Sequence, residues 1–266
     1  MRAFFFDTLR RRNRLRDRAA QSPPAITATA SEFSRGKLGL PVDDWQVRFL
    51  NSKDKRKVLV GARQCGKSTA GAALAVCRMA QIPGFKVIVI SSSERQSRLF
   101  VEKCRGYVRR LGEAGRGDGI NKSSVLMKNG SSIVGLPCTA VTTRGYTADL
   151  LFLDEAAGIP DTVYVAVRPM LASTDGELVL SGTAAEPIGF FYEASRSLRP
   201  GWCRITVRAS DVSRFSKEFL EEEKYELGAD AFAREYGCEF ADSGIGVFDR
   251  RIVEAAFSDK VKPLFG

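Results

Sequence analysis

The chain has 266 residues, 44% of them hydrophobic, which is enough for one large α/β domain or for a domain plus a small appendage. Its 41 Lys and Arg against 31 Asp and Glu give a net charge of +10, which favours a polyanionic partner such as nucleic acid. There is no histidine, and the six cysteines form no C-x-x-C pair, so structural zinc and histidine-based catalysis are disfavoured. We expect the thiols to be reduced and mostly buried. No apolar run approaches membrane-spanning length, so a membrane partner is not expected.

The first 18 residues form a basic segment with seven arginines and two aspartates. This arm either contacts DNA phosphates or carries solvated charge, and the sequence favours neither interpretation. A transit peptide is disfavoured because such peptides are poor in acidic residues. Residues 25–42 are rich in Thr, Ala and Ser and contain Gly and Pro, which predicts a linker. We therefore assign residues 1–42 to a basic N-terminal arm and linker.

A short amphipathic helix is predicted over Asp43 to Leu50, because the stretch opens on two acidic residues that can cap a helix. Gln46 lies in this helix, shortly before the next strand. A glutamine amide offers both a donor and an acceptor, so it can bind the edge of adenine. A surface glutamine on a packing helix is an equally good interpretation of this stretch alone.

The pattern G-x-x-x-x-G-K-S follows the apolar run Val58 to Val60, which predicts a buried strand. In such a loop the glycines allow a tight turn, the N–H groups face the phosphates, the lysine reaches the β- and γ-phosphates, and the serine hydroxyl can bind Mg²⁺. A helix predicted over Ser68 to Ala80 would receive the phosphate at its N-terminus. A glycine-rich turn with a solvated lysine is much less favoured. The candidate nucleotide-binding residues are Gly61, Ala62, Arg63, Gln64, Cys65, Gly66, Lys67, Ser68 and Thr69.

Beyond the loop, Lys86 to Ser91 is a continuous apolar run typical of a strand buried on both faces of a parallel sheet. A helix is predicted from about Arg95 to Leu111. An Asn129-Gly130 turn between alternating segments then indicates a β-hairpin. Asn121-Lys122 begins the guanine-binding pattern N-K-x-D, but Ser124 occupies the aspartate position, which disfavours a GTPase.

Two adjacent carboxylates, Asp154 and Glu155, follow another apolar run. At the end of a strand, Asp154 can hold Mg²⁺ beside Ser68, and Glu155 can orient or deprotonate the water that attacks the γ-phosphate. In isolation, two such carboxylates are as often a helix cap. The presence of Lys67 favours the catalytic interpretation.

A further parallel strand is predicted from Glu177, and it ends in the small polar residues Ser181, Gly182 and Thr183. Hydroxyl groups at this position can sense the γ-phosphate and transmit its presence, so we regard these three residues as candidates for coupling.

The last part of the chain predicts a final core strand at 204–208 and helices at 216–227 and 229–236. We therefore divide the remaining chain into a P-loop core over residues 43–210 and a lid subdomain with the start of a linker over residues 211–266.

Together these motifs resemble the ATPase domain of the large terminase subunit, the motor that packages DNA in tailed bacteriophages, over roughly residues 43 to 245. The resemblance implies an α/β fold: a P-loop NTPase of the ASCE/RecA-like class, with a mostly parallel central sheet flanked by helices and a small C-terminal lid. The matching features are Gln46, Gly61 to Ser68 with Arg63 inside the loop, Arg144-Gly145-Tyr146, Asp154-Glu155, Ser181 to Ala184, and Glu235 to Phe240.

This resemblance implies a motor that hydrolyses ATP with Mg²⁺ and drives double-stranded DNA into procapsids in the host cytoplasm during virion assembly. It implies a portal protein and a small terminase subunit as partners, with a homo-oligomeric ring, expected to be a pentamer, when docked and a monomer in isolation. For a full large terminase, the resemblance also implies a second domain, an RNase H-like nuclease. Only about 80 residues follow Ala184, which predicts that the nuclease domain and its activity are absent from this chain.

Two alternatives stay open at this point: a helicase-like DNA translocase, and a nucleotide-gated module that binds DNA without hydrolysing ATP. An arginine must also neutralise charge on the transferring phosphoryl group. We favour Arg144 acting from a neighbouring subunit, with a salt-bridged surface arginine as the alternative for this position. Arg63 would then order the loop or sense nucleotide, and it is the candidate if the arginine acts within its own subunit.

Overall fold

A computed structural model describes residues 28–113, 123–139 and 145–241 of the chain. The strands in these ranges are β1 (Arg56–Gly61), β2 (Lys86–Ser91), β3 (Ser124–Leu126), β4 (Ser132–Leu136), β5 (Leu150–Asp154), β6 (Glu177–Gly182) and β7 (Trp202–Val207). The α-helices are α1 (Ala30–Gly36), α2 (Asp44–Asn51), α3 (Lys67–Gln81), α4 (Glu94–Arg110), α5 (Asp161–Val167), α6 (Gly189–Arg196), α7 (Lys217–Leu227) and α8 (Ala229–Glu235). Within these ranges, no helix is long and apolar enough to cross a membrane.

The strands form one mixed sheet in the order β3-β4-β2-β5-β6-β1-β7. β3 pairs with β4 in antiparallel fashion, and the other pairs are parallel. β6 lies between β1 and β5, and the register aligns Asp154 with Ser181 and Val60 with Gly182. Because parallel strands end at the same edge of a sheet, the phosphate loop, the acidic pair and the candidate coupling residues meet at one edge. The predicted α/β fold with a mostly parallel sheet is confirmed.

The central strands carry continuous apolar runs because helices cover the sheet on both faces. α3 lies so close to β5 that a Cβ atom at Gly71 would stand 2.3 Å from Cζ of Phe152. The strand predicted at Lys86 to Ser91, the helix after the phosphate loop and the hairpin around Asn129-Gly130 are confirmed. All six cysteines are free, and four of them are buried, as expected.

A buried ion pair lies at the opposite edge of the sheet. Lys57 is 1% exposed, and its Nζ donates to Oε2 of Glu177 at 2.7 Å and to the carbonyl of Asp54 at 2.6 Å. Arg78 donates to the other carboxylate oxygen of Glu177 at 2.8 Å. Burial alone raises the pKa of Glu177, but the two cations outweigh it and hold the pKa below its ordinary value.

The linker predicted at residues 25–42 is wrong for its described part, because this segment contains α1. Thr29 and Glu32 form a capping box that starts the helix, with the Thr29 hydroxyl accepting from the Glu32 N–H and the Glu32 carboxylate accepting from the Thr29 N–H. The N–H of Ser31 donates to Oδ1 of Asn51 at 3.0 Å, and Leu38 is fully buried. Small residues that suggested a flexible segment instead allow α1 to pack closely on α2 and α3. The basic arm itself lies outside the described residues.

The segment predicted as a lid follows β7, and its described part contains α7 and α8, close to the helices predicted at 216–227 and 229–236. We use the name lid for these two helices. Its C-terminal end returns to the core through backbone hydrogen bonds. The N–H of Ala209 donates to the carbonyl of Tyr236 at 2.9 Å, and the N–H of Arg63 donates to the carbonyl of Glu235 at 3.0 Å. The lid is therefore attached directly to the phosphate loop.

Candidate active site

The phosphate loop joins β1 to α3 with two residues in the left-handed region of backbone space. Gln64 has a φ of 56° and Gly66 a φ of 99°, so the chain reverses sharply before the helix begins. A Cβ atom at Gly61 would stand 2.7 Å from Sγ of Cys65, which is fully buried under the loop. The first and last glycines of the motif are therefore required by the backbone conformation and by close packing.

Lys67 begins α3, and its ammonium lies inside the loop. Its Nζ donates to the carbonyl oxygens of Gly61 at 2.8 Å and Ala62 at 3.0 Å, and to the hydroxyl of Thr183 at 3.0 Å. The residue is 6% exposed. The loop lysine is thus in direct contact with Thr183, the candidate coupling residue, whose role in sensing the γ-phosphate stays a prediction.

Ser68 and Asp154 come together across the edge of the sheet, where the Ser68 hydroxyl donates to Oδ2 of Asp154 at 3.0 Å. The other carboxylate oxygen, Oδ1, is buried and has no hydrogen-bond partner among the described residues. Burial first, and the charge of Glu155 second, raise the pKa of Asp154 to about 6, although the Ser68 hydrogen bond and the charge of Lys67 oppose the rise. An orphaned, buried carboxylate oxygen beside a hydroxyl is a donor set that fits Mg²⁺.

Two further hydroxyl groups flank this carboxylate. Ser91 and Ser181 are aligned with Asp154 on either side in the sheet register, and both are fully buried. Neither hydroxyl has a hydrogen-bond partner among the described residues. Unpaired buried polar groups at the end of three adjacent strands indicate a site prepared for a polar ligand. Ser91 was missed in the sequence, because its strand ends without a recognisable motif.

Glu155 adopts the left-handed conformation, with φ of 51° and ψ of 47°, directly after β5. Such a conformation is uncommon outside glycine and is found frequently at functional sites. The two adjacent carboxylates therefore stand on different backbone conformations, because Asp154 is the last residue of β5 and Glu155 has left the strand. A short 3₁₀ turn, Ala156–Gly158, follows this residue.

Gln46 is buried, so the interpretation as a surface glutamine is wrong. Its Oε1 accepts from the N–H of Asp43 at 3.0 Å. Its Nε2 would stand 3.2 Å from a Cβ atom at Gly66, which means that the amide lies against the phosphate loop. The neighbouring Trp45 also reaches Gly66, and its indole N–H is buried without a partner among the described residues. Adenine binding by Gln46 stays a prediction.

Of the two arginines proposed to act on the transferring phosphoryl group, the structure describes only Arg63. Arg63 has a side chain that is 71% exposed, and its Nε lies 2.6 Å from Oε2 of Glu235 in the lid. Arg144 lies outside the described residues. The structure therefore joins Arg63 to the lid, through a contact that the sequence motif does not indicate.

Two basic residues near the loop were missed. The Arg214 guanidinium donates to the carbonyl of Cys65 and lies 3.3 Å from Oδ2 of Asp43. Lys103 in α4 donates to the hydroxyl of Thr69 at 3.3 Å. Both come from segments without a motif, and Arg214 is 149 residues from Cys65 along the chain, so sequence spacing offers no signal for either contact.

A phosphate loop after β1, an acidic pair after β5 and an intervening strand β6 define a P-loop NTPase domain of the ASCE/RecA-like class. A family model described as terminase large subunit, T4likevirus-type, N-terminal, matches residues 58–254. The chain belongs to this family.

Comparison with individual proteins agrees with this assignment. The terminase large subunit of Thermus virus P23-45 is 25% identical over 248 residues, which cover 79% of this chain and 51% of the relative. The large terminase ATPase domain of Thermus phage P74-26 superposes with a TM-score of 0.72 and 24% identity, covering 80% of this chain and 100% of that structure. The large terminase of a thermophilic bacteriophage, solved in complex with ADP, gives a TM-score of 0.64 and 14% identity, covering 75% of this chain and 54% of that one. The chain spans about half the length of the curated relatives it matches.

Proposed function

We propose that this chain is the ATP-hydrolysing motor domain of a large terminase subunit and that its ATP turnover drives double-stranded DNA into procapsids. The observation that carries the proposal is the contact of Ser68 with Asp154 at 3.0 Å, because it joins the phosphate loop to the acidic strand end. Nucleotidases of the P-loop class need these two groups side by side to hold the metal of a nucleotide.

In this reaction the loop N–H groups and the N-terminus of α3 would bind the phosphates of ATP. Lys67 would exchange the carbonyls of Gly61 and Ala62 for the γ-phosphate. Ser68 and Asp154 would hold Mg²⁺, which neutralises charge on the β- and γ-phosphate oxygens when bound. Glu155 would orient the attacking water and accept its proton.

Four other residues would complete the cycle. Gln46 would bind the adenine edge, and its buried amide beside Gly66 supports this assignment. Thr183 would sense the γ-phosphate through its contact with Lys67, and Ser181 and Gly182 would form the backbone of the coupling segment.

At the level of the assembly, we propose a ring of identical subunits, with five as the expected number, that acts on double-stranded DNA at the portal protein of a procapsid. A small terminase subunit would be a further partner, and the host cytoplasm the location. Family membership supports these partners, and the net charge of +10 agrees with DNA as a polyanionic one.

The proposal is tested by measuring ATP binding and phosphate release on the same variants. Lys67→Ala and Asp154→Ala should abolish turnover, because they remove the phosphate contact and the metal ligand. Glu155→Ala should keep ATP binding and lose at least a hundredfold in rate, since general-base catalysis contributes about 10²- to 10⁴-fold.

Exposed charges on α7 supply matched controls: Lys217→Ala and Glu222→Ala should behave as the wild type. Undiminished hydrolysis by a folded Lys67→Ala protein would contradict the site. Tight ATP binding by the wild type without any phosphate release, even with DNA, would favour the non-hydrolysing module instead.

A further inference from the structure

Arg214 joins three parts of the molecule through one side chain. It lies between β7 and α7, and its guanidinium donates to the carbonyl of Cys65 in the phosphate loop. The same group lies 3.3 Å from Oδ2 of Asp43, the residue directly before α2. A planar guanidinium can serve two acceptors at once, which a lysine ammonium on a flexible stem does less well.

The contact with Cys65 fixes the orientation of a peptide group in the phosphate loop. In a planar trans peptide, the carbonyl and the following N–H point in opposite directions, so holding the Cys65 carbonyl also fixes the N–H of Gly66. A Cβ atom at Gly66 would stand 3.1 Å from Nη2 of Arg214 and 3.2 Å from Nε2 of Gln46. The Arg214 guanidinium therefore lies against the same glycine as Gln46, the candidate adenine-binding residue.

The residues next to Arg214 in the chain are held in place by the lid and the core. Ser216, two residues later, caps α7 by accepting a hydrogen bond from the N–H of Phe219 at 3.1 Å. The Phe215 ring stacks on Phe219, with ring centroids 6.0 Å apart, and meets the edge of Tyr236. Val212 is buried in the core. The short segment around Arg214 is thus fixed on both sides. A shift of the Cys65 carbonyl would therefore move Arg214 and, through it, the start of α7.

We infer that Arg214 is a positioning residue that couples the conformation of the phosphate loop to lid helix α7, so that nucleotide binding is transmitted to the lid. The inference rests on the proposed ATPase function, since it needs a nucleotide in the loop. The Arg214 side chain is 47% exposed and makes both contacts at the surface of the loop, so its removal leaves the buried core unchanged.

The experiment measures hydrogen exchange of the α7 amides in the full chain, with and without ADP and Mg²⁺ at about twenty times the dissociation constant of each variant. In the wild type, ADP should slow exchange in residues 217–227 at least threefold. Arg214→Gln should bind ADP about tenfold more weakly and, at saturation, should lose most of this slowing, because its carboxamide is uncharged and shorter. Arg214→Lys keeps the charge but has a single ammonium group in place of the planar fork, so its ADP affinity and its slowing of exchange should lie between those of the wild type and Arg214→Gln.

Lys217→Gln is the matched control, because it removes one positive charge three residues away, in the first turn of α7, and should respond to ADP as the wild type does. Full slowing in saturated Arg214→Gln would overturn the inference, as would a wild type that binds ADP without any change in α7. Should Arg214→Gln fold poorly, Asp43→Asn, which weakens one of the two contacts, should still reduce the response. A wild type that binds no nucleotide at all would overturn the proposed function, which the other outcomes leave standing.

Discussion

Asp154 illustrates how a single buried carboxylate can be unfavourable in the free protein and suited to a ligand. One oxygen accepts from Ser68, while the other is buried without a partner among the described residues. The neighbouring Glu155 adds a like charge rather than a compensating one. Burying a carboxylate without full pairing costs stability, and a cation bound at this position would offset that cost.

The raised pKa of Asp154 predicts how stability changes with pH. Burial first, and Glu155 second, raise the pKa from its ordinary value of 3.8 to about 6, so the folded protein binds the proton more tightly than the unfolded chain. The contribution of this group to the free energy of unfolding therefore falls as pH rises from about 4 to 6, by about 3 kcal/mol. Asp154→Asn should abolish this fall and make the metal-free protein more stable at neutral pH.

Urea unfolding in EDTA, followed by circular dichroism over this pH range, measures the difference. Asn can still accept the Ser68 hydrogen bond through its carbonyl oxygen, so the comparison isolates the charge. Parallel pH profiles for the wild type and Asp154→Asn would contradict the account of a buried, uncompensated carboxylate.

At the scale of elements, the close approach of α3 to β5 predicts an effect of a glycine substitution on stability. This effect is opposite in sign to the one that helix propensity alone predicts. Replacing glycine by alanine inside a helix is usually favourable by about 1 kcal/mol. At Gly71, however, the new Cβ atom would stand 2.3 Å from Cζ of Phe152, a ring in the buried core. Overpacking of this kind costs about 1–3 kcal/mol, so we expect Gly71→Ala to lower the free energy of unfolding.

Gly106 in α4 is the control, because a Cβ atom there meets nothing within 4 Å. Gly106→Ala should raise the free energy of unfolding by up to about 1 kcal/mol. Equal effects of the two substitutions in urea unfolding would show that packing against Phe152 is not what requires glycine. A Gly71→Ala, Phe152→Leu double variant should recover part of the loss.

The elements also show which sequence signals are informative. Continuous apolar runs and the loop motif predict β2, β1 and α3 closely, because burial on both faces and phosphate geometry constrain the residue types strongly. α1 escapes detection because small residues suit both a flexible linker and close helix packing. The burial of Gln46 and the contacts of Arg214 depend on residues far apart in the chain, and local periodicity carries no information about such contacts.

At the scale of the whole molecule, the excess of positive charge predicts the character of DNA binding. Binding should be insensitive to sequence and steeply dependent on salt, because each phosphate contact releases counterions. Deleting residues 2–18 should lower the slope of log K against log salt if the arm takes part. An arm with its arginines replaced by lysines keeps the charge and should keep the slope. A slope unchanged by the deletion would make the arm a solvated tail or a protein-docking segment.

The proposed ring assembly raises the question of which arginine would neutralise the transferring phosphoryl group. An arginine finger is worth on the order of 10³ to 10⁵ in rate. Arg63 belongs to the loop, yet its guanidinium is paired with Glu235 of its own lid and is 71% exposed. Arg144, ten residues before Asp154, is our candidate for action in a neighbouring subunit. The isolated chain should then hydrolyse ATP slowly at low concentration and faster when subunits assemble.

Mixing two inactive proteins separates these possibilities. Arg144→Ala subunits retain an intact Lys67 site but lack the finger, whereas Lys67→Ala subunits lack the site but still offer Arg144 to a neighbour. If the finger acts between subunits, a mixture under assembling conditions should regain part of the ATPase rate, because some interfaces pair an intact site with an intact finger. Light scattering and differential labelling would verify that mixed rings have formed. If such rings remain inactive, the finger acts within its own subunit. Arg63, released from Glu235, would then be the group that reaches the γ-phosphate.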